Sequence, residues 1–241
     1  MVWHGHLSKV DSFDALDEEI IHCRACPRLV SWREEVAVTK RKSYIDEEYW
    51  GKPVSGFGSK KPKMLVVGLA PGAHGANRTG RIFTGDSSGD WLYGSLHRIG
   101  IAKLPTSLSR NDGQVLKETR ITCAVRCAPP DNKPTTDERN TCSPFLLREF
   151  RLALPTTRSI VALGKFGWDA TFRTLRECGI DVKAAKFTHG AEVCFLHLGK
   201  ENLVIASFHP SQQNTFTGKL TRDQLDSVLR KAANHANLIN N

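Results

Sequence analysis

No apolar run in this 241-residue chain reaches membrane-spanning length, which excludes a helical membrane protein at the outset. The opening MVWHGHLSKV lacks the apolar core of an export signal, so an intracellular protein is expected. The seven cysteines are odd in number, and without an export signal a disulfide framework is disfavoured. There is no internal repeat and no low-complexity segment, and no Gly-Lys pair followed by Ser or Thr marks a nucleotide P-loop in the glycine-rich stretch. Acid is scarce relative to base: 25 Asp and Glu face 34 Lys and Arg, giving +9 and a pI near 9.3. That balance points to a polyanionic partner, nucleic acid first and an acidic membrane second, with charge for solubility as the plain alternative.

What the chain does have is a hydrophobic content of 40%, enough to bury one core, and we read residues 1–241 as a single monomeric domain. Its centre is GLAPGAHGANRTGRIFTGD, from Gly68 to Asp86. The preceding Met64 to Val67 run is too short for a helix and reads as a buried parallel strand, so this loop leaves a strand's carboxyl end, where open α/β sheets bind ligands. Gly68, Gly72 and the later glycines allow sharp turns and close approach; His74, Asn77, Arg78 and Asp86 supply polar groups, and Phe83 reads as an exposed aromatic face.

Around this loop the periodicities alternate. Asp11 or Ser12 can cap a helix bearing Phe13, Leu16 and Ile20, with Cys23 and Cys26 at its end; from Arg33 to Lys63 we expect an irregular arm. Its lysine and arginine clusters at 40–42 and 60–63 suit phosphates or a solvated face equally. Further strands are expected at Ile121 to Val125, Ser159 to Leu163 and Leu203 to Phe208, with Glu192 to Leu198 as an added edge. Helices lie between them, including one capped by Thr135 and Glu138 that Pro144 restarts, and one capped by Thr221 and Gln224. The expected fold is a three-layer α/β/α sandwich on a central four-stranded, mostly parallel sheet.

Two further groups of residues carry chemistry. Cys23 and Cys26 form a C-x-x-C pair, and Cys127 and Cys142 flank a proline-rich loop, which suits metal or iron–sulfur ligation. The fourth strand runs into HPSQQNTFTG, so His209, aimed by Pro210, should face the glycine loop across a cleft.

Taken together and in order, CRACPRLV from Cys23, the Gly68 to Asp86 loop, VRCAPPDNKPT with Cys142 beyond, and HPSQQNTFTGKLT from His209 resemble the uracil-DNA glycosylase superfamily. Within it the chain is similar to the family-five, type-B iron–sulfur enzymes. The resemblance covers nearly the whole chain. It implies a [4Fe–4S] cluster on Cys23, Cys26, Cys127 and Cys142, single- or double-stranded DNA as partner, and removal of deaminated bases; structural zinc is the competing reading of the four thiols. Cys123, Cys178 and Cys194 match no ligand position and read as small buried hydrophobes.

A glycosylase must flip its target base out of the helix and stabilise charge on the departing base. Phe83 is then the stacking face, His209 the donor to the base oxygen, and Asn214 a helper in the same loop, while Thr215 to Lys219 press on the DNA backbone. Gly68, Ala70 and Gly72 line the pocket. Related families carry an acid or amide where this chain has the apolar GLAPG, leaving Asn77 and Asp86 to orient water or stabilise the sugar cation; Asp86 is equally readable as a helix cap. Cys123 stands where relatives often carry a base-reading Asn. A DNA-binding module without catalysis and a redox protein using the cluster are the other functions that this sequence allows.

Overall fold

Along Met64–Gly68, Met64 and Val66 pack into one apolar cluster while Leu65 and Val67 pack into another, because successive strand side chains point to opposite faces. A strand buried on both faces needs helices on both, and that decides the architecture. The chain is described by a computed structural model covering residues 11–239; the opening segment, on which the expected lack of an export signal rests, lies outside the described residues.

Ser12 accepts the amide of Ala15 and starts α1 (Phe13–Ile21), whose buried Phe13, Leu16 and Ile20 face inward. Cys26 then caps α2 (Pro27–Thr39), with Pro27 at the first helical position, where its missing N–H is no loss. A short strand, β1 (Phe57–Gly58), precedes β2 (Met64–Gly68). The glycine loop holds a single helical turn, α3 (Ala76–Thr79), and ends at Asp86, which caps α4 (Ser87–Arg98). Then come β3 (Thr119–Cys123), α5 (Thr136–Ala153), β4 (Ser159–Leu163) and α6 (Gly164–Glu177). The rest is β5 (Glu192–His197), β6 (Lys200–Ser207), α7 (Gln212–Phe216) and α8 (Arg222–His235).

The sheet order is β1-β3-β2-β4-β6-β5. The four parallel strands are its centre; β1 and β5 pair antiparallel at the two edges, so the sheet has six strands rather than four. On one face α4 and α8 bury Leu92, Leu96, Leu225 and Leu229, and on the other α1, α5 and α6 bury Leu16, Phe150, Trp168 and Phe172. A third, small cluster of Leu29, Val125, Cys127 and Cys142 lies apart from both.

Three local expectations are corrected. Arg33 to Thr39 is helical, since α2 buries Leu29, Val30, Arg33 and Val36 on one face while Arg28 and Glu35 project outward. Pro144 does not restart a helix but sits inside a continuous α5. β1 is two residues long and carries no pattern of its own; its pairing with β3 creates it. Among the described residues no helix is long and apolar enough to cross a membrane.

Candidate active site and cysteine cavity

Parallel strands bring their carboxyl ends to one edge. Gly68 at the end of β2 stands in register with Cys123 at the end of β3, and His209 follows β6 by two residues. His209 comes to rest beside Phe83, with ring centroids 5.8 Å apart and planes at 31°. Gly68 makes the room beneath: a Cβ there would lie 2.8 Å from the Phe83 ring and 2.9 Å from Cys123 Sγ. Gly164, at the start of α6, abuts the His209 Cβ in the same way.

Phe83 is not an exposed face. It is only 6% exposed, packs into the α4 and α8 cluster, and adopts φ +51°, a left-handed conformation costly for a non-glycine residue. Its ring packs inward, beside His209, instead of standing out from the surface. Burial pulls the His209 imidazole down to about 4, so the ring is neutral near pH 7. Among the described residues neither ring nitrogen has a hydrogen-bond partner, which leaves them for a ligand. Cys123 is buried, and burial pushes its thiol up, whereas Cys178 is only half-buried and Cys194 is exposed, against expectation.

Asp86 caps α4 through Oδ1, which accepts the Gly89 amide at 2.9 Å. Its Oδ2 lies against the loop: a Cβ on Gly72 would be 2.9 Å away and one on Gly75 only 1.9 Å. Burial raises this carboxyl. The cap and the lining of the loop are thus one residue. Asn77 is not brought to His209. It is 1% exposed, and its Nδ2 is committed to the Arg33 carbonyl at 3.2 Å. Asn214 Nδ2 donates to the His209 carbonyl at 2.8 Å; it holds the loop and does not reach across the cleft with that group.

The four cysteines also converge. Cys23 and Cys26 flank the α1–α2 junction, Cys127 follows β3 and Cys142 lies on α5, and all four line one cavity with Leu29, Val125 and Phe145. Ala70, from the glycine loop, packs against the same group. The amides of Ala124 and Val125 donate to the carbonyls of Gly68 and Leu69 at 3.0 Å each, lacing the loop to the segment that carries Cys127. Two sulfurs have donors in place: Arg33 Nη1 to Cys127 Sγ at 2.8 Å and the Arg126 amide to Cys142 Sγ at 3.3 Å. Among the described residues no three His, Cys, Asp or Glu side chains are gathered as a single ion needs. Burial pushes the Cys127 and Cys142 thiols up to about 11 and 12.

Beneath the cavity, Glu149 is fully buried between Arg120 and Arg126, with Arg120 Nε at 2.6 Å and the Thr122 hydroxyl also at 2.6 Å. Neither this group nor Arg33 was singled out from the sequence. Arg33 follows Cys26 by seven residues, two helical turns, and so shares its face, a signal visible only once α2 is recognised. Of the basic clusters, Lys60 and Lys63 are engaged by Asp14 and Glu118.

The sequence profile of the Uracil DNA glycosylase superfamily matches residues 55–233. A type-5 uracil-DNA glycosylase of Mycobacterium bovis is 53% identical over 210 residues, 87% of this chain and 76% of the relative. One from Mycobacterium leprae is 52% identical over 222 residues, 92% and 94% of the two chains. One from Thermus thermophilus is 45% identical over 225 residues, 93% and 99%.

Proposed function

The chain belongs to the uracil DNA glycosylase superfamily, and from that premise we propose that it is a monofunctional DNA glycosylase: it flips uracil, and also hypoxanthine, out of DNA and hydrolyses the N-glycosidic bond, leaving an abasic site for base excision repair. The observation that carries this reading is the pairing of a neutral His209 with Phe83 over Gly68 and Cys123. A flipped base entering beside Phe83 meets an aromatic ring and, next to it, an imidazole with free nitrogens. As the glycosidic bond lengthens, negative charge grows on the base and positive charge on the sugar. A fixed neutral N–H aimed at the base oxygen stabilises the first without prior reorganisation. Asp86 is our choice for the second, since its carboxylate lines the glycine loop while Asn77 is enclosed elsewhere.

We assign a [4Fe–4S] cluster to Cys23, Cys26, Cys127 and Cys142. A lone zinc holds each sulfur at about 2.3 Å and would draw the four together, whereas here they rim a shared apolar cavity. When bound, the group supplies a rigid crosslink between α1, α2, the β3 exit and α5, and its charge is offset by Arg33 and Arg126. The protein's own residues carry the base chemistry.

The deciding experiment is incision of a uracil-containing duplex by purified protein followed by alkali. Strand breakage at the uracil supports the assignment. Tight binding with no alkali-labile site would leave a DNA-binding module.

A further inference from the structure

Arg33 touches both the cysteine cavity and the glycine loop, the first through its side chain and the second through its main chain. It is 2% exposed, a rare state for an arginine, and each end of the residue has a defined task. At the guanidinium, Nη1 donates to Cys127 Sγ at 2.8 Å and Nη2 to the Cys23 carbonyl at 3.2 Å, so one fork grips both halves of the cysteine quartet. Glu34, on the same helix, lies 3.8 Å from Nη2 and is the acidic group that faces it. At the main chain, the Arg33 carbonyl accepts Asn77 Nδ2 at 3.2 Å.

Asn77 belongs to the glycine loop. Its amide donates to the Gly72 carbonyl at 3.0 Å, and its own carbonyl accepts the Gly51 amide at 3.0 Å. A Cβ added to Gly72 would lie 2.9 Å from Asp86 Oδ2, so that carboxylate borders Gly72. A continuous path of short contacts therefore runs from Cys127 through Arg33 and Asn77 to Gly72 and Asp86. Each step is a hydrogen bond or a van der Waals contact between buried or half-buried groups, and hydrogen bonds in such surroundings are stronger than in water. Among the described residues Arg33 Nε and Asn77 Oδ1 have no partner, so the joint keeps further hydrogen-bonding capacity.

We propose that Arg33 is a positioning residue that couples the cysteine-bound group to the base pocket, with Asn77 as the strut on the loop side. The inference rests on the cluster assignment above. A planar five-donor fork suits a residue that must hold a sulfur and a carbonyl at once in fixed directions, which the compact ammonium of lysine on its flexible stem does less rigidly. Hydrogen bonds and positive charge at ligand sulfurs also raise a cluster's reduction potential, so the guanidinium has an effect on the group as well as on the loop. Coupling of this kind is reciprocal: whatever the group does to the pocket, an occupied pocket must do to the group.

The experiment compares iron-loaded parent protein with Arg33→Gln, Arg33→Lys and Asn77→Ala. Iron and sulfide content of the parent tests the cluster assignment by itself. Four measurements then test the coupling: visible absorption, its bleaching rate under chelator, the midpoint potential, and single-turnover release of uracil. Arg33→Gln should bleach several-fold faster and shift to lower potential, with Arg33→Lys intermediate. If Arg33→Gln does not fold, Arg33→Lys carries the comparison against the parent. Asn77→Ala should keep the parental spectrum and potential yet release uracil several-fold more slowly at unchanged DNA affinity. In the parent, duplex carrying an uncleavable uracil analogue should slow bleaching, and Asn77→Ala should abolish that protection. Parental bleaching and potential in both Arg33 variants, or undiminished protection in Asn77→Ala, would overturn the proposal even with four irons present.

Discussion

The His209 imidazole and the Phe83 ring lie 5.8 Å apart between centroids, although they come from loops far apart in the sequence. Parallel pairing of β2, β4 and β6 is what brings them to one edge. The relationship predicts a rate effect without a binding effect. His209→Ala should slow single-turnover uracil release by about 10²-fold or more while DNA affinity stays near parental, because charge develops only in the transition state. The pH dependence follows from the depressed imidazole. Between its ordinary 6.5 and about 4 the unfolded chain binds a proton that folded His209 refuses, so stability falls as pH drops through that window. NMR titration of the His209 ring should show a midpoint near 4, and a ring still protonated at pH 7 would contradict the neutral-donor role.

Cys127→Ala removes one wall of the cysteine cavity and the acceptor of the Arg33 bond. The parent should be brown and carry about four irons per chain, as expected of a cubane cluster. The variant should be colourless and less stable, since binding energy at such a site is folding energy. Iron analysis and thermal unfolding check both halves, and stoichiometric zinc in a colourless parent would replace the cluster with an ion.

Glu149 gives a second stability prediction. Burial pushes its carboxyl up, but Arg126 and Arg120 outweigh that and hold it down at about 2. Its contribution is therefore complete above its ordinary 4.5 and is lost as pH falls from there toward 2. Glu149→Ala should cost about 3–5 kcal/mol, because it leaves the buried Arg126 guanidinium without a carboxylate and Arg120 with Asp17 alone, rather than deleting one bond. Urea unfolding at neutral pH measures this, and a cost below about 1 kcal/mol, the scale of an exposed pair, would mean the network is open to solvent.

The parts of the fold that were legible in the sequence are those set by local rules. The Thr135–Glu138 and Thr221–Gln224 capping boxes are present as read, and Ser159–Leu163 is a strand over the residues expected. What escaped depends on partners distant in sequence. Phe83 looked exposed because glycines and charges surround it, but α4 and α8 fold over it. Asn77 looked like a water-binding amide, and only the docking of α2 on α3 encloses it. The β1 edge and the burial of Arg33 and Arg126 likewise exist only once the sheet and α5 are assembled.

Phe216 is 79% exposed on α7, while Asn214 in the same turn fastens that helix to the His209 carbonyl. A large aromatic held in water beside the pocket has a use if DNA is the partner. It can fill the gap in the stack that a flipped base leaves behind. Phe216→Ala should therefore slow uracil release from duplex about tenfold, a modest part of the few kcal/mol that unstacking costs. Release from single strands should change little, and Phe216→Leu should restore much of the duplex rate. Equal losses on both substrates would make Phe216 a packing residue of the loop.

The range of bases follows from the pocket floor. Gly68 and Cys123 meet beneath Phe83, and the neighbouring Leu69 and Ala70 are apolar, so these residues offer shape and an aromatic edge but no side-chain amide to read a Watson–Crick edge. Selectivity should be correspondingly loose: hypoxanthine should leave as well as uracil, and mismatched or unpaired targets, which cost less to flip, should leave faster. The product should be an intact strand with an abasic site. No lysine lies in the Gly68 to Asp86 loop or between His209 and Gly218, and the ammonium of Lys219, the next one, sits over the Phe208 ring at 4.7 Å. An amine engaged there is not presented to the sugar carbon, so no Schiff base is expected and breakage should wait for alkali. Two assays decide the matter. Excision from duplexes carrying uracil or hypoxanthine measures the range, and strict rejection of hypoxanthine would reveal a base-reading group within this floor. Borohydride treatment during turnover tests the chemistry, and a trapped protein–DNA adduct would replace water with a lysine as the attacking group.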